Sequence, residues 1–266
     1  MLNNLLRLEW GKLRWPVLIT LLSLSLAVAL LSGTIYKSYA LEHDLEAWEV
    51  GISIIVFLFP LIAVLPVGWL MYLERRDGFL MYTLPRVSKR RYLSAKWLVV
   101  AGSSFSIMFI AMMIGVIFAL YIKPEITPFY SLVDKSTGEP GPRLEKTHFL
   151  GSLFVNHPLS YGLLISFWQG VLSAMMATLA FVLSLFVSNV FIILTGPFLY
   201  VTLENFILSL LQLEIYRIYT AFNPESFDVN QHGYGPLLVG PALALLFTAG
   251  IAFYFSRIQK ATVYPS

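Results

Sequence analysis

Cysteine is absent from this sequence, which removes disulfide frameworks, thiolate metal sites and a Cys nucleophile at one stroke. It says nothing about redox compartment, since any compartment tolerates a Cys-free chain. Charge is the second scarcity. Asp, Glu, Lys and Arg make up 12% of the 266 residues, about half the roughly 25% of a soluble domain. So few charges cannot cover a water-facing surface. Catalytic signatures are missing too. There is no G-x-x-x-x-G-K-[ST] loop for ATP phosphates, no H-E-x-x-H and no G-x-S-x-G. The four histidines, His43, His148, His157 and His232, all fall in segments predicted as loops, where a solvated ring is the ordinary state. Gly233, Gly235 and Gly240 follow no strand pattern, so they make no dinucleotide fingerprint.

What is present is hydrocarbon. The chain is 58% hydrophobic, with mean hydropathy +0.74. Apolar runs long enough to cross a membrane core of about 30 Å predict six spans: 16–36, 50–73, 97–122, 161–187, 190–213 and 236–256. Ala27-Val28-Ala29 resembles a signal-peptidase site, but the apolar run continues beyond it, so the first run reads as a retained span. The predicted fold is all-α, a single transmembrane domain over residues 1–266.

Basic residues orient it. Twelve Lys and Arg fall before span one, between spans two and three, and after span six, against six in the other loops. That excess places both termini and the 74–96 loop in the cytoplasm; a bacterial plasma membrane is the expected location of this multi-pass chain. The net charge of +3 is therefore topological, and no nucleic-acid partner is implied. Spans four and five are joined only by Ser188-Asn189. The extracytoplasmic loop 123–160 is rich in Pro and Gly, and 144–154 suits one short interfacial helix.

Two features lie within the spans. Ser166, Gly170, Ser173, Ala177, Ala180 and Ser184 recur at alternating spacings of four and three, a seam of small residues that lets helix backbones approach closely in lipid. The spacing fits packing inside one subunit and a dimer contact equally. Glu204 is the one carboxylate placed well inside a span, which makes it a functional candidate. The run from Phe191 to Phe222 exceeds one crossing, so a re-entrant break over 200–235 is expected there.

The stretch ERRDGFLMYTLPRVSKRRYLSAKW, Glu74 to Trp97, concentrates seven Lys and Arg between two apolar runs. Charge alone makes it a topology signal. The apolar residues between the charges suit a short helix docked on another surface, and Ser88 after Pro85 suits an N-cap for span three. E-x-x-x-G, an apolar segment, then P-x-x-x-[KR] and a Lys entering a span resembles the cytoplasmic loop of ATP-binding-cassette (ABC) type-2 exporter permeases. MLNNLLRLEWGKLRW resembles their elbow helix: Leu2, Leu6, Trp10 and Leu13 share one face, with Asn3, Arg7 and Arg14 opposite. Glu9 and Lys12, three apart, suit either a pair or a partner contact.

The resemblance covers the whole layout and departs from it in the longer 123–160 loop. It implies an interfacial elbow at 1–15 and a coupling loop at 74–96 seated in a separate ATPase subunit. Glu74, Gly78, Pro85, Ser88, Arg90, Arg91 and Lys96, with Glu9, would meet that subunit. It further implies ATP and Mg on the partner ATPase with no cofactor on this chain, a second permease copy or a sister permease, membrane lipid around the spans, and export of a hydrophobic or amphipathic cargo such as a peptide antibiotic, lipid or drug. An ion-coupled secondary carrier and an intramembrane enzyme are the competing readings. The scarcity of buried charge weakens the first, and the lack of a catalytic cluster weakens the second.

Overall fold

The computed structural model describes residues 2–35, 43–77, 88–122, 148–227 and 232–258, and among them every regular element is helical. The described residues form ten α-helices: α1 (Leu2–Leu30), α2 (Glu46–Gly51), α3 (Ser53–Val64), α4 (Leu70–Arg76), α5 (Lys89–Ile117), α6 (Gly151–Asn156), α7 (Pro158–Phe186), α8 (Val190–Leu210), α9 (Ile218–Phe222) and α10 (Gly235–Ile258). Among the described residues five helices are long and apolar enough to cross a membrane: α1, α5, α7, α8 and α10, with α1 and α5 each extended by a π-turn.

The predicted span 50–73 differs from the other five. Its chain runs as α2 and α3 with an interruption at Ile52, then breaks at Leu65–Trp69 before α4 resumes. Pro66 explains the break, because it has no N–H to continue the ladder. The Val67 and Gly68 amides instead both bond the Val64 carbonyl, at 3.0 and 2.7 Å. The predicted boundary between a 1–15 elbow and a 16–36 span is also absent as a backbone break. One helix runs through Pro16, and Glu9, Leu13, Val17, Leu24 and Val28 form one buried stripe along it. Trp10, grouped by sequence with the apolar face, points away from that stripe and is exposed.

The core is a layer of α1, α5 and α7. α8 and α10 pack on the far side of α7, and α3 is wedged against α7 and α8. The small-residue seam of α7 is wholly buried inside this subunit. Ser104 and Ser173 bond hydroxyl to hydroxyl at 2.8 Å, and Ser104 Oγ also donates toward the Ala63 and Ser173 carbonyls, at 2.9 and 3.1 Å. A Cβ on Gly170 would sit 2.9 Å from the Phe105 ring. In lipid, where no hydrophobic force drives helices together, this close packing and these hydrogen bonds hold α5 against α7.

The turn containing Ser188-Asn189 is tight, one residue longer than the sequence implies, and the Asn189 side chain caps α8 by accepting from the Phe191 amide at 2.9 Å. After α8 the chain folds back through a 3-10 turn (Glu214–Tyr216), the five-residue α9, and a second 3-10 turn (Pro224–Ser226). α9 packs on α10, α8, α7 and α3. α10 crosses it at Gly240, where a Cβ would lie 2.7 Å from the Ile218 nitrogen and 2.9 Å from the Arg217 carbonyl carbon. Backbone cannot yield as a side-chain tip can. Gly240→Ala is therefore expected to destabilise the subunit by about 1–3 kcal/mol. Gly102→Ala, where nothing lies within 4 Å, should be neutral or slightly stabilising; thermal unfolding of the two variants in detergent measures the contrast.

Candidate functional site

α1, α4 and α5 converge at the end of the bundle that carries the basic segment, and four charged side chains meet there. Lys12 Nζ lies 3.3 Å from Glu9 Oε1 and 2.6 Å from Glu74 Oε1. Lys96 Nζ lies 2.9 Å from Glu9 Oε2 and also pairs with Glu74 Oε2. The Tyr92 hydroxyl donates to the same Glu74 oxygen, and Lys96 sits 5.0 Å over the Tyr92 ring. Two carboxylates and two ammoniums thus form a neutral closed set. Lys96 is 0% exposed and Glu9 3%, while Lys12 closes the set from a half-buried position.

Local sequence explains the convergence. Glu9 and Lys12 stand three apart on α1, and Tyr92 and Lys96 four apart on α5, so each pair lies on one helix face. Glu74 ends α4. Burial pushes the Glu74 carboxyl up, but the Lys96 charge and the hydrogen bonds from Lys12 and Tyr92 outweigh it and hold the group below the ordinary carboxylate value. Next to it, Arg75 Nη1 donates to the Ser184 carbonyl at 2.8 Å and toward Val187 at 3.4 Å. That cation satisfies free carbonyls at the end of α7 and suits its dipole.

The sequence-predicted residues divide sharply. Glu9, Glu74 and Lys96, expected at a partner surface, are turned inward on one another. Their charges are consumed within the subunit because a buried charge is stable only when paired. Ser88, Arg90 and Arg91 are exposed at the start of α5. Ser88 occupies the N-cap position, but its hydroxyl makes no capping bond. Gly78 and Pro85 lie outside the described residues. The Glu9–Lys12 pair that the sequence offers is formed, whereas Tyr92 was missed as a network member, although its helical spacing to Lys96 is visible.

A second polar cluster occupies the opposite end. Glu49 accepts from the Tyr161 hydroxyl at 2.9 Å and faces His148 Nε2 at 2.9 Å, while His148 Nδ1 lies 2.9 Å from the Phe149 carbonyl oxygen. Both ring nitrogens face acceptor groups, an arrangement that favours the doubly protonated ring. Phe154 stacks on it at 4.2 Å. Burial alone would lower the His148 pKa, but the hydrogen bond to Glu49 and the Glu49 charge raise it above its ordinary 6.5. The sequence reading had placed His148 in solvent; folding buries it against a carboxylate.

Glu204 is 7% exposed, and both its oxygens face the Ile218 amide, at 3.1 and 3.3 Å. It thereby caps the start of α9. Trp168 Nε1 and Gln169 Nε2 donate to the Ala221 and Phe222 carbonyls at the other end, at 2.9 and 3.0 Å. A five-residue helix cannot stand alone. Side chains from α8 and α7 hold it at both ends, as irregular backbone among membrane helices requires. Glu204 and Tyr200, one turn apart, also line an open cavity of about 580 Å³ between α7, α8 and α10.

A family model described as ABC-2 family transporter protein matches residues 5–137, half of the chain. The chain belongs to that family of transporters, and with its apolar helices it is a multi-pass membrane permease. The matched half contains the whole Glu9–Lys12–Glu74–Tyr92–Lys96 network. No curated protein and no solved structure matches the chain.

Two outcomes test this geometry. Lys96→Met leaves Glu74 and Glu9 short of a buried partner and should cost about 3–5 kcal/mol, while Lys12→Met, at a half-exposed site, should cost less. Thermal unfolding in detergent ranks them. For His148, a folded pKa above 6.5 means that the ion pair contributes fully below pH 6.5 and is lost as pH rises through the folded value. The melting temperature should fall over that interval, and His148→Gln should flatten the dependence.

Proposed function

We propose that this permease is the membrane subunit of an exporter driven by a separate ATPase, and that the ATPase docks on the segment 74–96. The observation that carries this reading is the buried ionic network. It ties the segment's leading flank (Glu74) and its trailing flank (Tyr92, Lys96) to α1. A push on the segment is thereby delivered to α1 and α5 together, and through Arg75 to the end of α7. The exposed Ser88, Arg90 and Arg91, with Gly78 and Pro85 in the loop itself, form the docking surface. Glu9, Glu74 and Lys96 act behind it as the transmission.

In this reading ATP and Mg belong to the partner and no cofactor to this chain. Both termini face the cytoplasm of a bacterial cell membrane. The stretch 50–73 makes the sixth crossing, running through α3, its break at Leu65–Trp69 and into α4. Residues 1–15 form the cytoplasmic entry of α1. Residues 200–235 form the re-entrant segment and 123–160 the external loop. A second copy or a sister permease completes the unit, and ATPase closure shifts the packed helices as rigid bodies between inward-facing and outward-facing states. The cargo is hydrophobic or amphipathic.

Arg90→Glu with Arg91→Glu should abolish recovery of an ATPase subunit with the tagged permease after crosslinking, while membrane insertion and thermal stability stay near wild type. Undiminished recovery of the ATPase would overturn the docking role.

A further inference from the structure

The cavity between α7, α8 and α10 has a shape and chemistry that the network at the basic end does not use. Its walls are hydrocarbon, with Leu183 from α7, Leu199 from α8, and Leu243 and Phe247 from α10. Tyr200 and Glu204, one turn apart on α8, are the lining residues with polar side chains. The Tyr200 ring stacks on Phe247 at 4.6 Å, which orients the phenol along the wall. Leu199 is 53% exposed, so the groove opens sideways to whatever surrounds the helices.

Glu204 has acceptor capacity to spare. A carboxylate offers about four lone-pair sites, and here the Ile218 amide is the donor bonded to it. No cationic side chain among the described residues forms an ion pair with it, and the nearby Arg217 pairs with Glu214 at 3.1 Å. A carboxylate at membrane depth with one neutral donor favours a positive group with N–H donors beside it.

Depth decides which molecule could bring that group. α8 has 21 residues, about 31 Å of helix, matching a hydrocarbon core of roughly 30 Å. Glu204 lies six residues inside its Leu210 end, about 9 Å below that boundary. A phospholipid head group rides at the boundary itself. A compact ammonium on a single hydrocarbon chain can sink to Glu204 and lay its chain along the groove toward Leu183.

We propose that the groove between α7, α8 and α10 is a cargo site for single-chain alkylammonium amphiphiles, with Glu204 binding the ammonium and the Leu199–Phe247 wall the chain. The designation as cargo rests on the exporter reading above; the binding itself does not.

The test is saturable binding of radiolabelled dodecylamine and, separately, dodecanol to the permease in nanodiscs, corrected for empty nanodiscs. Glu204→Gln keeps an oxygen for the Ile218 amide but loses the charge. It should weaken dodecylamine at least tenfold and leave dodecanol unchanged. Leu199→Trp fills the groove and should weaken both, while Leu26→Trp, on the exposed face of α1, should weaken neither. Should Glu204→Gln fail to fold, the Leu199→Trp result and the wild-type preference for amine over alcohol decide. Equal affinity for the two probes would mark a site for lipid tails, and binding that ignores Leu199→Trp would place the probe elsewhere. A groove covered by a second copy would bind neither probe. Each of these outcomes overturns the proposal. Recovery of the ATPase with the permease is scored separately, so loss of the groove and loss of the exporter reading give different results.

Discussion

Everything at the basic end of this subunit depends on keeping two carboxylates and two ammoniums together. Each charge alone would cost several kcal/mol in an environment with little water. Together, with Tyr92 filling a remaining acceptor site on Glu74, they are neutral and hydrogen-bonded. The members come from α1, α4 and α5, so none of these helices can withdraw without stranding a charge. Hydrophobic packing alone would let them slide past one another over apolar neighbours. The ionic set fixes their register, the best-attested use of buried polar groups.

The opposite end uses the same device with a different cation. Glu49 there is shared between Tyr161 and His148, and the set joins α2, α7 and the turn entering α6. Between the two ends the contacts are short side chains: serines, alanines and glycines that bring α5 and α7 to backbone distance. The subunit is thus clamped by charge at both ends and zipped by small residues between them. α8 and α10 stand outside that clamped layer with the groove between them.

Much of the architecture was legible because membrane spans are written in long apolar runs. Five predicted spans correspond to five long helices, and a tight turn containing Ser188-Asn189 falls where it is expected, one residue longer than the sequence implies. The broken span 50–73 was less legible, since Pro66 and Gly68 sit within an unbroken apolar run. The fold-back of the chain after α8 was visible as excess length, and Glu204 was singled out because carboxylates are rare within apolar runs. What sequence could not supply was partnership. Glu9, Glu74 and Lys96 look like surface charge when read one at a time. Only the fold brings position 9 to 74 and 96, and only then is it evident that their charges face each other. His148 shows the same limit: a histidine in a polar loop reads as solvated until Glu49, 99 positions away, is placed against it.

The three-residue turn between α7 and α8 bears on how the chain acquires its topology. No Lys or Arg occurs between Lys146 and Arg217, so the turn that joins the two crossings carries no cationic label of the kind that retains a loop on one side of a membrane. The hairpin enters as a pair without a directional label of its own. Its direction is inherited from α5, whose basic start is labelled strongly and whose serine-lined face is the one α7 must find. Helix recognition inside the bilayer therefore completes the orientation that charge begins.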